Sequence, residues 1–485
     1  MSWIIGVVGT CTVALLVVLP VMASNDAHDD LQIVDAAVVA NAIQHLAPPD
    51  EIGGAPQDLM SVRRVPSVLV EPVLRRKAVE VVADLETDYP EPACLSVRID
   101  GREVLHTGST DSLIPASVQK LLTALAVLEK IDADERLTTH VLTTGELVDG
   151  EIDGNLVFVG GGDPMLAQQQ YADAYRRQPQ LLTPIAALAD AIADTGLTRV
   201  RGRIVVNDDR YDSVRFVETW PDRYLTQFNS GPIGALTVND GFAEWEPARV
   251  YADDPAIYAG QVLDRELNRR GIRVDGATRR GPVPDDAEPF ASIDSPTIHE
   301  MVQQMLRESD NNTAESLLKE LGYRRDGVGS TTGGAEVVHE VARVAGFDVT
   351  QLVVTDGSGL DRGNLVTCSV LAQLIELAGP DSTIGAGLAV AAESGTIGHR
   401  FGDSDVAGRL HAKTGLLNNV NGLAGWIESL DGTIVTFAQL LNGVPLNSRV
   451  GFELQDQLAA DLVAVALQID VADASLPDPL TDVER

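Results

Sequence analysis

The sequence predicts a mixed α/β protein with more than one domain. Strand-like alternation recurs at Cys94 to His106, Arg199 to Asn207 and Gly422 to Leu441, with the period that turns successive side chains to opposite faces of a sheet. Between these stretches Ser117 to Ile131 is apolar almost throughout, which suits a helix buried on all sides. A chain of 485 residues is also too long for one typical core.

Taken in order, Trp3 to Ala23 carries no charge and is long enough to cross a bilayer as a helix. It reads as a signal peptide or a membrane anchor. Its length favours an anchor, and Pro20 with Val21-Met22-Ala23 favours a cleavage site. Residues 24–60 hold seven acidic residues and no Lys or Arg, with Pro and Gly around Pro48 to Pro56, the composition of an acidic linker. Cys94 to His106 forms a strand pair turning at Asp100-Gly101. The buried helix follows, and Thr138 to Gly162 gives short strands with turns at Asp149-Gly150 and Asp153-Gly154. Ala256 to Arg270, behind Pro255, reads as a helix. From Ser295 a helix runs to about Glu308 and breaks at Ser309-Asp310-Asn311. A new helix then opens at Asn312, with Glu315 three residues on in the form of a capping pair. Arg409 to Gly415 is a strand, Gly422 to Leu430 and Thr433 to Leu441 form a hairpin closed by Asp431-Gly432, and Val450 to Leu467 is an amphipathic helix. Residues 471–485 are an acidic tail.

Composition excludes several classes of function. With 36 Lys+Arg against 71 Asp+Glu the formal net charge is -35, a surface that repels polyphosphate and argues against nucleic acid as a partner. Eight scattered histidines and the lack of a CxxC pair leave no metal-ligand spacing, so no metal or cofactor is expected. Cys11 sits in the apolar N-terminal stretch. Cys94 and Cys368 remain, and an exported chain permits a bridge between them.

The chemistry is carried by three short motifs. In Ser117-Val118-Gln119-Lys120, Ser117 opens the buried helix and Lys120 lies one turn on, on the same face. A serine hydroxyl is a weak nucleophile, and an amine held beside it in a dry site can lose its proton and act as base. Ser309-Asp310-Asn311 falls at a helix break and offers a hydroxyl and an amide two residues apart. Lys413-Thr414-Gly415 lies on a strand and supplies a cation, a hydroxyl and a glycine for close backbone approach. Each motif alone is weak. S-x-x-K, S-D-N and K-T-G in that order mark penicillin-binding proteins and class A β-lactamases.

Within that group the chain resembles the class C penicillin-binding proteins, the D-alanyl-D-alanine carboxypeptidase/endopeptidase family S13. The resemblance rests on Pro115-Ala116-Ser117 through Lys120-Leu121-Leu122-Thr123-Ala124, Gly161-Gly162-Asp163-Pro164, Glu308-Ser309-Asp310-Asn311, Asp356-Gly357-Ser358-Gly359-Leu360, Arg362 with Asn364, and Ala412-Lys413-Thr414-Gly415. It implies a transpeptidase/β-lactamase-like domain, a five-stranded sheet flanked by helices, formed by 61–145 and 292–470. A large folded insertion, 146–291, would separate the first and second motifs, since a segment of that length cannot be a loop. It further implies a serine-type D-Ala-D-Ala carboxypeptidase, with D,D-endopeptidase cleavage as a companion activity, acting outside the cytoplasm on peptidoglycan stem peptides. β-Lactams would be covalent inhibitors, and only the N-terminal segment would touch a membrane.

The resemblance makes Ser117 the nucleophile and Lys120 its base. Ser309 would pass the proton to the leaving D-alanine, Asn311 would hold the substrate's peptide carbonyl, and Lys413 and Thr414 would face the terminal carboxylate. The N-H groups of Ser117 and of Leu416, just past Gly415, would form the oxyanion hole, where one donor is worth roughly 3 kcal/mol of barrier. Leu416 departs from the family, most of whose members carry a hydroxyl there. Its backbone donor remains, and one hydroxyl for the carboxylate is lost.

Other readings fare worse. Asp356-Gly357-Ser358-Gly359 lacks the first glycine of a hydrolase elbow. A class A β-lactamase needs an E-x-x-L-N loop after S-D-N, and the nearest match, Asp264-Arg265-Glu266-Leu267-Asn268, has the wrong acid and precedes it. The competing class is a weakly active or non-catalytic peptidoglycan-binding or regulatory homologue, for which only Leu416 argues.

Overall fold

The computed structural model describes residues 89–99, 101–175, 177–428, 434–445 and 449–474, the last ten of these by backbone alone. The apolar segment at Trp3 to Ala23, the acidic linker, the acidic tail past Ala474 and the Asp431-Gly432 turn lie outside the described residues; the helix expected over Val450 to Leu467 runs on to Ala474, into the first residues assigned to the tail. Among those described, no helix is long and apolar enough to cross a membrane, and no group of three or more His, Cys, Asp or Glu is placed to hold a metal ion.

The strand pair expected at Cys94 to His106 forms β1 (Ala93–Ile99) and β2 (Arg102–Gly108). β3 (Ala389–Val390), β4 (Leu410–Leu417), β5 (Val420–Glu428) and β6 (Ile434–Asn442) complete a six-stranded antiparallel sheet in the order β3-β4-β5-β6-β1-β2. Five of its strands have at least seven residues, as the resemblance implied; the two-residue β3 is an added edge.

Alternation gives this sheet two apolar faces. Trp426, Ala438 and Leu440 join Leu121, Leu122, Leu125, Met301, Met305 and Leu317 in the main core. Leu95, Val97, Ile427, Val435 and Phe437 pack on the other side with Leu458 and Leu462 of the 450–474 helix. Burying a side chain of this size is worth about 1.5 to 3 kcal/mol against leaving it exposed. The sheet is therefore held from both faces.

The buried helix is α1 (Lys120–Lys130), with every residue from Lys120 to Val127 buried. It begins later than expected, because Ala116–Gln119 forms a 3₁₀ turn that carries Ser117. Ala116 before it has φ +49°, a left-handed conformation uncommon for a side chain with a Cβ. The next pair is α2 (Ile298–Glu308), with a capping box at Thr297 and Glu300, and α3 (Asn311–Asp326). Ser309 between them is left-handed, with φ +62°.

A second sheet lies between the first and second motifs in sequence. Strand 199–207 runs parallel to 156–159, 151–152 and 273–280, and 136–143 pairs antiparallel with both 156–159 and 288–297. Its core joins Phe158, Ile204 and Val206 to Leu188 and Ile192, and to Val262 and Leu263 of the 255–269 helix. Cys94 on β1 and Cys368 are joined as a disulfide with Cα atoms 6.0 Å apart.

Candidate active site

The three motifs, separated by almost three hundred positions in sequence, meet at the edge of the first sheet. Gly415 explains how close they come: a Cβ there would stand 2.5 Å from the Pro115 carbonyl oxygen and 3.2 Å from Ala116 Cβ. Only a bare glycine lets β4 lie against the turn that presents Ser117.

Lys120 is completely buried. Its Nζ donates to three acceptors from three different segments: Ser117 Oγ at 3.1 Å, Asn311 Oδ1 at 2.7 Å and the Ser358 carbonyl at 2.7 Å. An ammonium has three protons, and the site provides one acceptor for each. Burial is the largest influence on this amine and pulls its pKa down to about 8, against the opposing charges of Asp356, Glu315 and Asp310.

Lys413 is equally buried, and its Nζ donates to Ser309 Oγ at 2.9 Å and to the Thr414 carbonyl at 2.8 Å. Burial first, then the charges of Lys120 and Arg177, push its pKa well below the usual range, with Glu308 opposing. Thr414 Oγ1 donates to Thr396 Oγ1 at 2.8 Å. Leu416 is 43% exposed and turns its side chain away from the core.

The α2–α3 junction sets Ser309 and Asn311 between the two lysines. Asp310 caps α3 by accepting from the Thr313 N-H at 3.2 Å and the Thr313 hydroxyl at 2.7 Å. This corrects the expectation that Asn312 and Glu315 form the capping pair. Asn312 falls inside the helix and accepts from the Gly231 N-H at 2.8 Å, while Glu315 points into the core. The motif's own aspartate is one position better placed to reach the third helical N-H. Asn311 is fixed at its other end by donating to the Asn229 carbonyl at 2.6 Å.

Sequence reasoning missed four contributors. Asn229 and Thr396 touch motif side chains but carry no pattern of their own. Glu315 and Asp356 are fully buried acids beside Lys120; Asp356 belongs to a matched stretch, but nothing in the sequence tells a loop clamp from a turn. The Asp264–Asn268 segment is part of the 255–269 helix, where Asn268 bonds back to Asp264, and it adds nothing to the site. A cavity of about 430 Å³ adjoins Ser309 and Asn311, walled by Tyr171, Arg177, Asp240 and Trp245. The larger cavity, about 670 Å³, touches none of the motif residues.

A buried amine against a serine hydroxyl, a second hydroxyl shared with a second buried amine, and an amide between them can activate a nucleophile and receive an anionic acyl substrate. The comparisons agree with that reading. A model of the D-Ala-D-Ala carboxypeptidase 3 (S13) family matches residues 95–251 and 243–464. The D-alanyl-D-alanine carboxypeptidase of an Actinomadura species is 29% identical over 446 residues, covering 76% of this chain and 80% of that one. Carboxypeptidase DacB of Mycolicibacterium smegmatis is 28% identical over 417 residues, covering 82% and 86%. In fold, the crystal structure of penicillin binding protein 4 (dacB) from Haemophilus influenzae superposes with a TM-score of 0.67 at 21% identity, over 79% of this chain and 99% of that one.

Proposed function

Since the chain belongs to the D-Ala-D-Ala carboxypeptidase 3 (S13) family, we propose that it is a serine-type D-alanyl-D-alanine carboxypeptidase working through an acyl-enzyme on Ser117. The observation that carries this is the buried Lys120 amine, 3.1 Å from Ser117 Oγ and held there by two further acceptors. Relatives named D-alanyl-D-alanine carboxypeptidase or carboxypeptidase DacB, aligned over most of the chain, support the same activity.

In this mechanism neutral Lys120 takes the Ser117 proton as Oγ attacks the carbonyl carbon of the penultimate D-alanine. The Ser117 and Leu416 N-H groups receive the oxyanion. Asn311 orients the acyl part by its amide. Lys413 and Thr414 hold the terminal carboxylate, and Ser309, bonded to Lys413, delivers a proton to the leaving amine. Water then cleaves the ester. A β-lactam presents the same carboxylate and a strained amide, and its leaving group stays tethered, so the reaction stops at the acyl-enzyme. The Haemophilus relative has been solved in complex with a β-lactam, which supports this reading.

The substrate places the protein outside the cytoplasm, secreted or anchored by its N-terminal segment, and the Cys94–Cys368 bridge supports an oxidising compartment. Cross-linked stems whose leaving amine also carries a carboxylate would be cleaved as D,D-endopeptidase substrates. The domain division carries over as a proposal, a catalytic unit interrupted by an inserted one. Because strands 136–143 and 288–297 pair in the second sheet, the insertion is better bounded by those strands than by 146 and 291.

Intact mass after incubation with penicillin tests the assignment. One adduct is expected on the wild type and none on Ser117→Ala; an adduct that persists in the variant refutes Ser117 as nucleophile.

A further inference from the structure

Beneath Lys120 lie two carboxylates that the mechanism does not use, Glu315 on the second turn of α3 and Asp356 in the loop that follows strand-like Val353. Both are fully buried. Glu315 Oε1 accepts from the Ser358 N-H at 2.8 Å, and Oε2 from the Gly357 N-H at 3.3 Å. The Ser358 carbonyl in turn accepts from Lys120 Nζ at 2.7 Å. One residue's backbone thus connects the carboxylate to the amine.

The rest of the loop is held as firmly. Thr123 Oγ1, one turn along α1 from Lys120, donates to the Gly357 carbonyl at 2.8 Å. Asp356 accepts from Gly359 N-H at 2.7 Å, Asp361 N-H at 2.6 Å, Trp220 Nε1 at 2.8 Å and Asn364 Nδ2 at 2.7 Å. A Cβ at Gly357 would come within 2.6 Å of the Ala314 carbonyl oxygen, so loop and helix are already in contact. A buried acid is costly wherever a neutral group could bind the same amides. Its place here, one peptide unit from the amine, points to a task that a loop fastener alone does not require.

We propose that Glu315 is a positioning residue for the lysine base: by fixing the Ser358 backbone it keeps that carbonyl on one of the amine's three protons and so aims Nζ at Ser117. This rests on the reading of Lys120 as the base. The charged groups facing Lys120 are Glu315 on α3, Asp356 in the loop, Asp310 at the α3 N-terminus and Lys413 on β4. In their ionised forms the first three favour the ammonium, and Lys413 disfavours it; burial and then Asp356 push the Glu315 carboxyl up to about 8, and burial raises Asp356 as well, so the Glu315 charge and the Lys120 amine titrate over the same range. Removing the Glu315 charge, or loosening the Ser358 carbonyl, therefore makes Lys120 easier to deprotonate.

The test is the second-order rate constant for acylation by a fluorescent penicillin, followed against pH on the full chain. In Glu315→Gln the high-pH plateau should fall by about tenfold or more, because the base is less well aimed, and the rising limb should move to lower pH, because the Ser358 carbonyl is held less firmly on the amine and a nearby acid is gone. Glu315→Asp keeps the acid but withdraws it by one methylene; its plateau should fall, and its limb should move in the same direction as in Glu315→Gln but by less. A Gln variant with plateau and limb both unchanged overturns the proposal, and so does a lowered plateau with an unmoved limb, the mark of a merely structural role. If Glu315→Gln yields no folded protein, Glu315→Asp decides, and a wild-type plateau there overturns it. Lys120→Ala, measured in parallel, isolates the underlying reading: wild-type acylation in that variant would refute Lys120 as base, whatever Glu315 does.

Discussion

The site has two lysines, equally buried and differently provided for. Lys120 has two carboxylates and a capping aspartate nearby and an acceptor for each proton, and its pKa is brought to about 8. Lys413 has two uncharged acceptors, Ser309 Oγ and the Thr414 carbonyl, and burial carries its pKa well below the usual range. A buried amine with matched counter-charge can exchange a proton close to neutral pH. One without it gains most when an anion arrives. The first arrangement suits a base and the second suits a seat for a carboxylate. Under the proposed mechanism the Lys120 end performs the chemistry, and the end near exposed Leu416 selects the substrate.

The comparison breaks most sharply at Ser117. Ser117→Ala should abolish both peptide hydrolysis and penicillin labelling, as read by D-alanine release and by intact mass; residual labelling would mean that another group is acylated. Lys120→Ala should slow acylation by a factor on the order of 10² to 10⁴. In the wild type the acylation rate should rise with pH through about 8, where Lys120 becomes neutral, and fall roughly tenfold for each unit below it. A profile flat across that range would show that Lys120 does not need to lose its proton.

At the other end the effects are smaller and depend on the substrate. A hydrogen bond to a charged group is worth about 1.5 to 3 kcal/mol, or roughly 10- to 150-fold, so Leu416→Thr should raise kcat/KM on D-Ala-D-Ala peptides within that range. A thioester lacking the terminal carboxylate should respond much less. Equal gains on both would indicate repacking of β4. Thr396→Val removes the partner of the Thr414 hydroxyl, a neutral bond worth about 0.5 to 1.5 kcal/mol. It should lower kcat/KM on the peptide by roughly 2- to 12-fold, again sparing the thioester; loss on both would place Thr396 in the general support of the strand.

The same contrast separates what was legible in the sequence from what was not. Ser117, Lys120, Ser309, Asn311, Lys413 and Thr414 could be found because they sit in short motifs whose order is informative, and the structure brings all six together. The strands and helices around them follow from periodicity: Arg199 to Asn207 was read to the residue. Asn312 and Glu315 have the spacing of a capping pair, but a local pattern cannot show that Glu315 is drawn inward by amides 42 and 43 positions away. Thr396 and Asn229 were illegible for the same reason, since each acts through one contact made only in the folded chain. The 3₁₀ turn at Ser117 packs against Gly415, a contact between residues almost three hundred positions apart that no local pattern shows.

D-alanine release from a tripeptide-D-Ala-D-Ala, measured on the purified protein before and after saturation with penicillin, tests the central claim most directly. Release of the terminal D-alanine alone is expected, silenced in step with the appearance of a single adduct on Ser117. A protein that forms the adduct but releases no D-alanine, or one whose release survives complete labelling, would contradict it.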